Sequence, residues 1–388
     1  MKNCIACGEK LEGKGLLSFD GMPASAQNIP DAEEVKEDHG VSLNLHQCKN
    51  CGLVQFDCEP VDYYRDVIRS GGFTTTMVEL RRRQFDHLIR TYDLECRKFI
   101  EVGCGQGEFL GVLAEFPVQA YGVEHREDLV ELARKKGLDV VRGFTEDPDT
   151  VLGENGPYDV FLSFNFLEHQ PEPGVMLDCI WNNLTEDGLG LVTVPSLEYI
   201  LQYDGYYELI RDHIAYYSFE TLGNLLRLHG FEVLEEEMVN RDTCAVIVRK
   251  VQREEKKVRP VERVDVSTME ASYGMIRDEI LKLSDTLQRE GKTLAVWGAS
   301  HQGFTLAATT CLKETARYII DSAPFKQGRF APTSHLPIVA PDYFHTEPVD
   351  AILIVAPGYT QEISDSIRSN FGGNVSIMTL RSDHLETL

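Results

Sequence analysis

The spacing of apolar residues changes along the chain, and those changes divide it. Residues 1–60 carry little sustained periodicity. From Asp62 to Leu94 the spacing turns helical, with Met77, Leu80, Phe85, Leu88 and Ile89 near one face. Short apolar runs then alternate with amphipathic stretches. Lys98–Val102, Gln119–Val123, Asp139–Val141, Tyr158–Phe164 and Gly188–Pro195 read as strands, and Gly107–Ala114, Glu127–Lys136, Pro173–Leu184 and Ser218–His229 read as helices. This alternation predicts an α/β fold with a mainly parallel sheet covered on both faces. Phe231–Glu237 and Thr243–Lys250 follow with no helix between them, predicting an antiparallel edge. The charged stretch Arg253–Val266 reads as a linker, and a helix over roughly Thr268–Arg289 leads into a second alternating segment. That segment has strands at Thr293–Trp297, Ala316–Ile320, Ala351–Val355 and Val375–Thr379 and helices near Gly303–Cys311 and Gln361–Ser369. The expected division is 1–60, 61–250, a connecting region 251–290, and 291–388.

Length and charge narrow the partners. A chain of 388 residues exceeds one ordinary core, in line with several domains. Its net charge is −24, from 38 Lys+Arg against 62 Asp+Glu, and so acidic a surface repels phosphate backbones. Nucleic acid is therefore not an expected partner. No run reaches the length of a membrane span, and the start lacks a signal-peptide core, so the expectation is a cytoplasmic protein without a membrane partner.

Chemistry concentrates first at Phe99-Ile-Glu-Val-Gly-Cys-Gly-Gln-Gly107, a strand running into a glycine loop. Glycines let the backbone turn tightly and approach a ligand, and the first N–H groups of the next helix face whatever sits above the loop. Glu101 precedes the loop, and Glu124 ends the next strand, where a carboxylate can accept both hydroxyls of a ribose. Asn165-Phe-Leu-Glu-His169 follows the fourth strand, at the end where an α/β sheet opens its ligand crevice. A nicotinamide cofactor usually shows G-x-G-x-x-G, whereas this loop is Gly103-x-Gly105-x-Gly107. Together these residues resemble class I S-adenosylmethionine methyltransferases, which have a Rossmann-like core. The resemblance implies that Gly103, Gly105 and Gly107 lie against the methionine part of the cofactor, that Glu124 binds the ribose, and that Thr145 and Glu146 lie near the adenine. Glu101 and Asn165 complete the expected cofactor set.

Ten cysteines in a cytosolic chain point to metal or catalysis before disulfides. Cys4-x-x-Cys7-Gly8 and Cys48-x-x-Cys51-Gly52 form two pairs, and four thiolates suit tetrahedral zinc. With sulfur at every position there is no open coordination site, so the expected metal is structural. His39 and His46 read as surface residues.

A third cluster runs from Tyr203 to Tyr217 and contains Asp212-His213. Histidine titrates near neutrality and can take a proton when a carboxylate orients it. The order of cysteine pairs, methyltransferase core, tyrosine-rich Asp-His segment and second Rossmann-like domain resembles the bacterial nucleotide-sugar C-methyltransferases. Trp297-Gly-Ala-Ser-His-Gln-Gly303 and Asp321-Ser-Ala-Pro-Phe-Lys-Gln-Gly-Arg-Phe-Ala-Pro-Thr-Ser-His-Leu-Pro-Ile338 carry that resemblance at the C-terminal end. It implies methylation of a keto-deoxysugar carbon and puts His213 on the family's general base. The family's Tyr-His-Glu-His segment becomes Ile210-Arg211-Asp212-His213, and Gln302 stands where the family commonly carries Lys. The expected roles are His213 as base, Asp212 or Glu208 tuning it, and His169 as the fallback. Tyr206, Tyr207 and Tyr216 are candidates for contact with the sugar. Ser300, His301, Lys326, Arg329 and His335 are candidates for its nucleotide. Two rival readings are a methyltransferase acting on oxygen, nitrogen or a non-sugar ketone, and a non-catalytic binding protein.

Overall fold

The computed structural model of the chain describes residues 3–13, 15–66, 74–253, 258–372, 375–381 and 384–388. Residues 67–73 of the expected helical stretch and 254–257 of the expected linker lie outside the described residues. In chain order the strands are β1 (Leu17–Met22), β2 (Val41–Gln47), β3 (Val54–Phe56), β4 (Lys98–Val102), β5 (Gln119–Glu124), β6 (Asp139–Arg142), β7 (Tyr158–Phe164), β8 (Leu184–Pro195), β9 (Ala215–Tyr216), β10 (Phe231–Val239), β11 (Thr243–Lys250), β12 (Leu294–Trp297), β13 (Ala316–Ile320), β14 (Ile338–Val339), β15 (Ala351–Ile354), β16 (Ser376–Arg381) and β17 (His384–Thr387). The α-helices are α1 (Thr75–Thr91), α2 (Glu108–Leu113), α3 (Glu127–Lys135), α4 (Pro173–Asn183), α5 (Leu197–Gln202), α6 (Phe219–Leu228), α7 (Ser267–Glu290), α8 (His301–Thr309), α9 (Leu312–Thr315) and α10 (Thr360–Asn370). No described helix is long and apolar enough to cross a membrane.

The central sheet has the order β10-β11-β8-β7-β4-β5-β6, parallel from β6 to β8 and antiparallel at β11 and β10. This is the Rossmann-like core of a class I methyltransferase. β7 is buried at six of its seven positions, as expected for a strand covered by helices on both faces. A second sheet, β14-β13-β12-β15-β16-β17, is parallel apart from its last strand and forms the C-terminal α/β layer.

The weak periodicity of residues 1–60 conceals a third sheet, β1-β2-β3-β9. β1 does alternate, with Leu17 and Phe19 buried and Ser18 and Asp20 exposed, but over only six residues. Its fourth strand comes from the central part of the chain, pairing Val54 with Tyr216 and Gln55 with Ala215. One hydrophobic core joins Phe19, Leu43 and Phe56 of this sheet to Tyr206 and Leu209, and to Ile276, Phe304 and Leu353 of the C-terminal region. The described part of the linker is also held against the first 60 residues. Asn224 Nδ2 donates to Cys51 O at 3.0 Å and to Arg259 O at 2.8 Å, and Val264 N donates to Gln47 Oε1 at 2.9 Å.

Candidate active site

β4, β5 and β7 end at a crevice of about 250 Å³. The chain reverses direction around β4, where loops part and leave room for a ligand. Gly103, Gly105, Glu124, Thr145, Asn165 and His169 line the crevice, so six of the expected residues meet there. Gly103 has φ 72°, and a Cβ added to it would press on the Phe166 ring at 3.4 Å. Glu124 Oε2 accepts from Gly105 N and its Oε1 from Arg126 N, both at 2.9 Å. Each oxygen accepts one of these bonds and has capacity for another, from a ligand in the crevice that Glu124 lines. Thr145 is buried, and its hydroxyl has no partner among the described residues.

Three expected residues lie elsewhere. Glu101 is wholly buried within β4. Gly107 opens α2 at φ 79° and packs against Leu138, whose Cδ1 would lie 2.3 Å from an added Cβ. Glu146 pairs with Arg65 at 3.0 Å. The residues that sequence reasoning missed are largely aromatic. Phe144 sits edge-on to His125 (5.5 Å between centroids) and to Phe166 (6.2 Å), building one wall. A signal existed, since His125 and Phe144 directly follow Glu124 and precede Thr145. Arg81 was also missed. Its buried guanidinium lies 3.8 Å from the Phe164 centroid and donates to Thr193 Oγ1, which donates to Asn165 Oδ1 at 2.9 Å. This chain of contacts orients the Asn165 amide, whose nitrogen has no partner among the described residues.

His169 connects the crevice to the Asp-His segment. Its Nδ1 is bonded to Asp212 O at 2.7 Å, and its ring meets that of His213 edge-on at 4.8 Å. Ile214 N donates to Glu168 O at 2.9 Å, fixing the two loops together. Burial, with His169 and His301 nearby, holds the His213 imidazole well below its ordinary value, and burial lowers His169 as well. Both rings are therefore neutral near pH 7. The Asp212 carboxylate does not face His213: it accepts from Tyr63 OH at 2.6 Å and from Ala26 N at 2.7 Å. Glu208 is committed elsewhere too, to His301 Nε2 at 2.9 Å and to Gln302 Nε2.

The other candidates mostly hold the parts of the chain together. Tyr206 is buried, with its hydroxyl 3.2 Å from Thr309 Oγ1, and Tyr207 packs on it at 5.6 Å. Tyr216 exchanges hydrogen bonds with the Ile210 backbone, and its ring lies 6.3 Å from that of His213. Ser300 caps α8 through Gly303 N. Lys326 pairs with Asp321 at 3.2 Å, Arg329 donates to Ile29 O at 2.7 Å, and His335 meets Asp38 at 2.8 Å. Between these elements runs a narrow cleft, closed in this structure even to a water molecule, lined by Met22, Ser25, Ala26, Arg211, His301 and Thr305, among others.

Cys4, Cys7, Cys48 and Cys51 converge, their sulfurs all within 4.8 Å of one another and two pairs at 3.5 Å. A tetrahedron with Zn–S near ~2.3 Å needs sulfurs about 3.8 Å apart, so the donor set fits that metal. Gly8 (φ 75°) and Gly52 (φ 80°) return their N–H groups to Cys4 O and Cys48 O. His39 and His46 bond to Glu37 O and Asp57 instead.

The family described as a methyltransferase domain matches residues 77–236, and that described as a C-methyltransferase C-terminal domain matches residues 232–378. C-methyltransferase NovU of Streptomyces niveus is 24% identical over 388 aligned residues, covering 94% of this chain and 91% of NovU. Magnesium protoporphyrin IX methyltransferase from Synechocystis PCC 6803 with bound SAH is 15% identical, covers 49% of this chain and 93% of its own, and has a TM-score of 0.36. A SAM dependent methyltransferase from Aquifex aeolicus is 16% identical, covers 46% and 100%, and also scores 0.36. The two matches together run from residue 77 to residue 378 and the alignment with NovU covers nearly the whole length, so this chain is an S-adenosylmethionine-dependent C-methyltransferase.

Proposed function

We propose that this C-methyltransferase acts on a nucleotide-activated keto-deoxysugar, and that His213 removes the proton from the carbon beside the ketone. The observation that carries this reading is His213 itself: a neutral imidazole, 4.8 Å from the His169 ring that lines the cofactor crevice. When bound, S-adenosylmethionine supplies an electrophilic methyl group. Glu124 would accept the ribose hydroxyls and Thr145 would meet the adenine, while Gly103 and Gly105 give the backbone close approach. Glu101 and Gly107 would support the loop from beneath.

His213 takes the proton as the C–H electron pair moves into the enolate. Asn165, held by Thr193, would donate to the enolate oxygen. His169 is clamped to Asp212 O and keeps the His213 ring in place from one side. Tyr216 supports it from the other. The acceptor would enter between the N-terminal segment, the Asp-His loop and α8, where the narrow cleft must open to admit it. His301 lines this cleft and Ser300 caps the helix that bears it, whereas Lys326, Arg329 and His335 act through their internal partners. We also read the four cysteines as a structural zinc site, and the chain as a metal module (1–60), a methyltransferase domain (61–250), a connector (251–290) and a substrate-binding Rossmann-like domain (291–388). The test is to screen nucleotide 4-keto sugars with the full chain and a ¹³C-methyl donor. A new carbon-bound methyl beside the ketone is expected, and no transfer to any of them would overturn the sugar assignment.

A further inference from the structure

We infer that Arg211 is the anion receptor of the acceptor site, binding a phosphoryl group of the substrate with the Thr305 hydroxyl beside it. The inference rests on the nucleotide-sugar reading above and names the residue that would recognise its charge.

An acidic chain of net charge −24 needs a local cation to hold a phosphate. The basic side chains nearest the C-terminal loops already have carboxylate partners: Asp321 for Lys326, Glu34 for Arg329 at 3.8 Å, Asp38 for His335 and Glu208 for His301. Arg211 differs from all of them. Its Nη1 donates to Ala24 O at 3.2 Å and its Nε to Glu59 O at 3.4 Å, and it pairs with no carboxylate among the described residues. Two carbonyls hold the guanidinium in position without cancelling its charge, and three of its five N–H groups remain. A planar fork of this kind suits phosphoryl oxygens.

A second observation marks the same cleft. Thr305 is fully buried there, and its hydroxyl has no partner among the described residues. A buried hydroxyl left unpaired is costly, so its natural complement is a polar group that enters the cleft.

The test is calorimetric titration of the full chain with thymidine diphosphate and with inorganic pyrophosphate. Arg211→Gln should weaken both by about 10- to 100-fold, the loss of one or two charge-assisted bonds. Arg211→Lys should recover part of it, and affinity for S-adenosylmethionine should not move. Unchanged binding to Arg211→Gln, beside clear binding by the native chain, would overturn the role of Arg211 alone. Thymidine diphosphate binding with none for pyrophosphate, insensitive to Arg211→Gln, would move the affinity to the base and overturn it equally. Failure of the native chain to bind either would bring down the nucleotide-sugar reading with it.

Discussion

The Tyr63 hydroxyl donates to Asp212 at 2.6 Å, and this contact, with the Ala26 amide at 2.7 Å, turns the Asp212 carboxylate away from the adjacent His213. Asp212 therefore acts through the backbone, presenting its carbonyl to His169 and fixing the loop that carries His213. Replacing it with alanine strands the Ala26 N–H and should destabilise the fold by about 1–3 kcal/mol. Tyr63→Phe should lower turnover in the same direction but less. Urea unfolding and cofactor titration check this. The expected result is lower stability and turnover with unchanged affinity for S-adenosylmethionine.

The pH profile follows from the histidine pair. A base must be unprotonated, and His213 is held well below 6.5 by burial, then by His169 and His301. The acid limb of kcat should therefore fall well below pH 6.5. His169→Asn removes one of those neighbours, so its limb should move up toward 6.5. Rate measurements from pH 4.5 to 8 on both proteins decide the point.

The lock between Glu208 and His301 has its own window. Burial alone would push Glu208 up, but His301 and Gln302 outweigh it and hold it below its ordinary value. Burial would lower His301, yet Glu208 keeps it raised. The raised histidine contributes fully below its unfolded value near ~6.5, and the contribution is lost as pH rises through the folded value. The lowered glutamate contributes above ~4.3, and its share is lost as pH falls through its folded value. The lock is strongest between about pH 4.3 and 6.5. Hydrogen exchange around Glu208 and α8 should quicken above that range, and His301→Asn should flatten the dependence.

Metal and catalysis should prove linked through β9. Its two residues, Ala215 and Tyr216, complete the N-terminal sheet immediately after His213. Cys4→Ser should lose zinc, speed exchange across β1, β2 and β3, and reduce turnover although no cysteine lies in the crevice. Metal analysis of the native chain should find one zinc per chain.

Much of the fold was legible in the sequence because long periodic segments dominate it. β4 and β7 agree with the expected bounds, and β8 begins four residues earlier than expected. The N-terminal sheet was not legible. Its strands are two to seven residues long, and β9 lies about 160 residues away in sequence, so no local pattern could announce the pairing. At the site, spacing brought out Gly103, Gly105, Glu124 and Asn165, which sit at strand ends where topology dictates a crevice. Composition does not show that Lys326 meets Asp321 within its own loop, or that Arg329 and His335 meet Ile29 and Asp38 of the N-terminal segment. Nor does adjacency set contact at Asp212, whose partners Tyr63 and Ala26 lie 149 and 186 residues away.

The central claim is that His213 makes the carbon nucleophile. The most direct measurement is solvent exchange in D₂O with a nucleotide 4-keto sugar and S-adenosylhomocysteine, so that no methyl can transfer. The native chain should incorporate deuterium at the carbon beside the ketone, and His213→Asn should not, with cofactor binding intact. Equal exchange by both proteins would contradict the account.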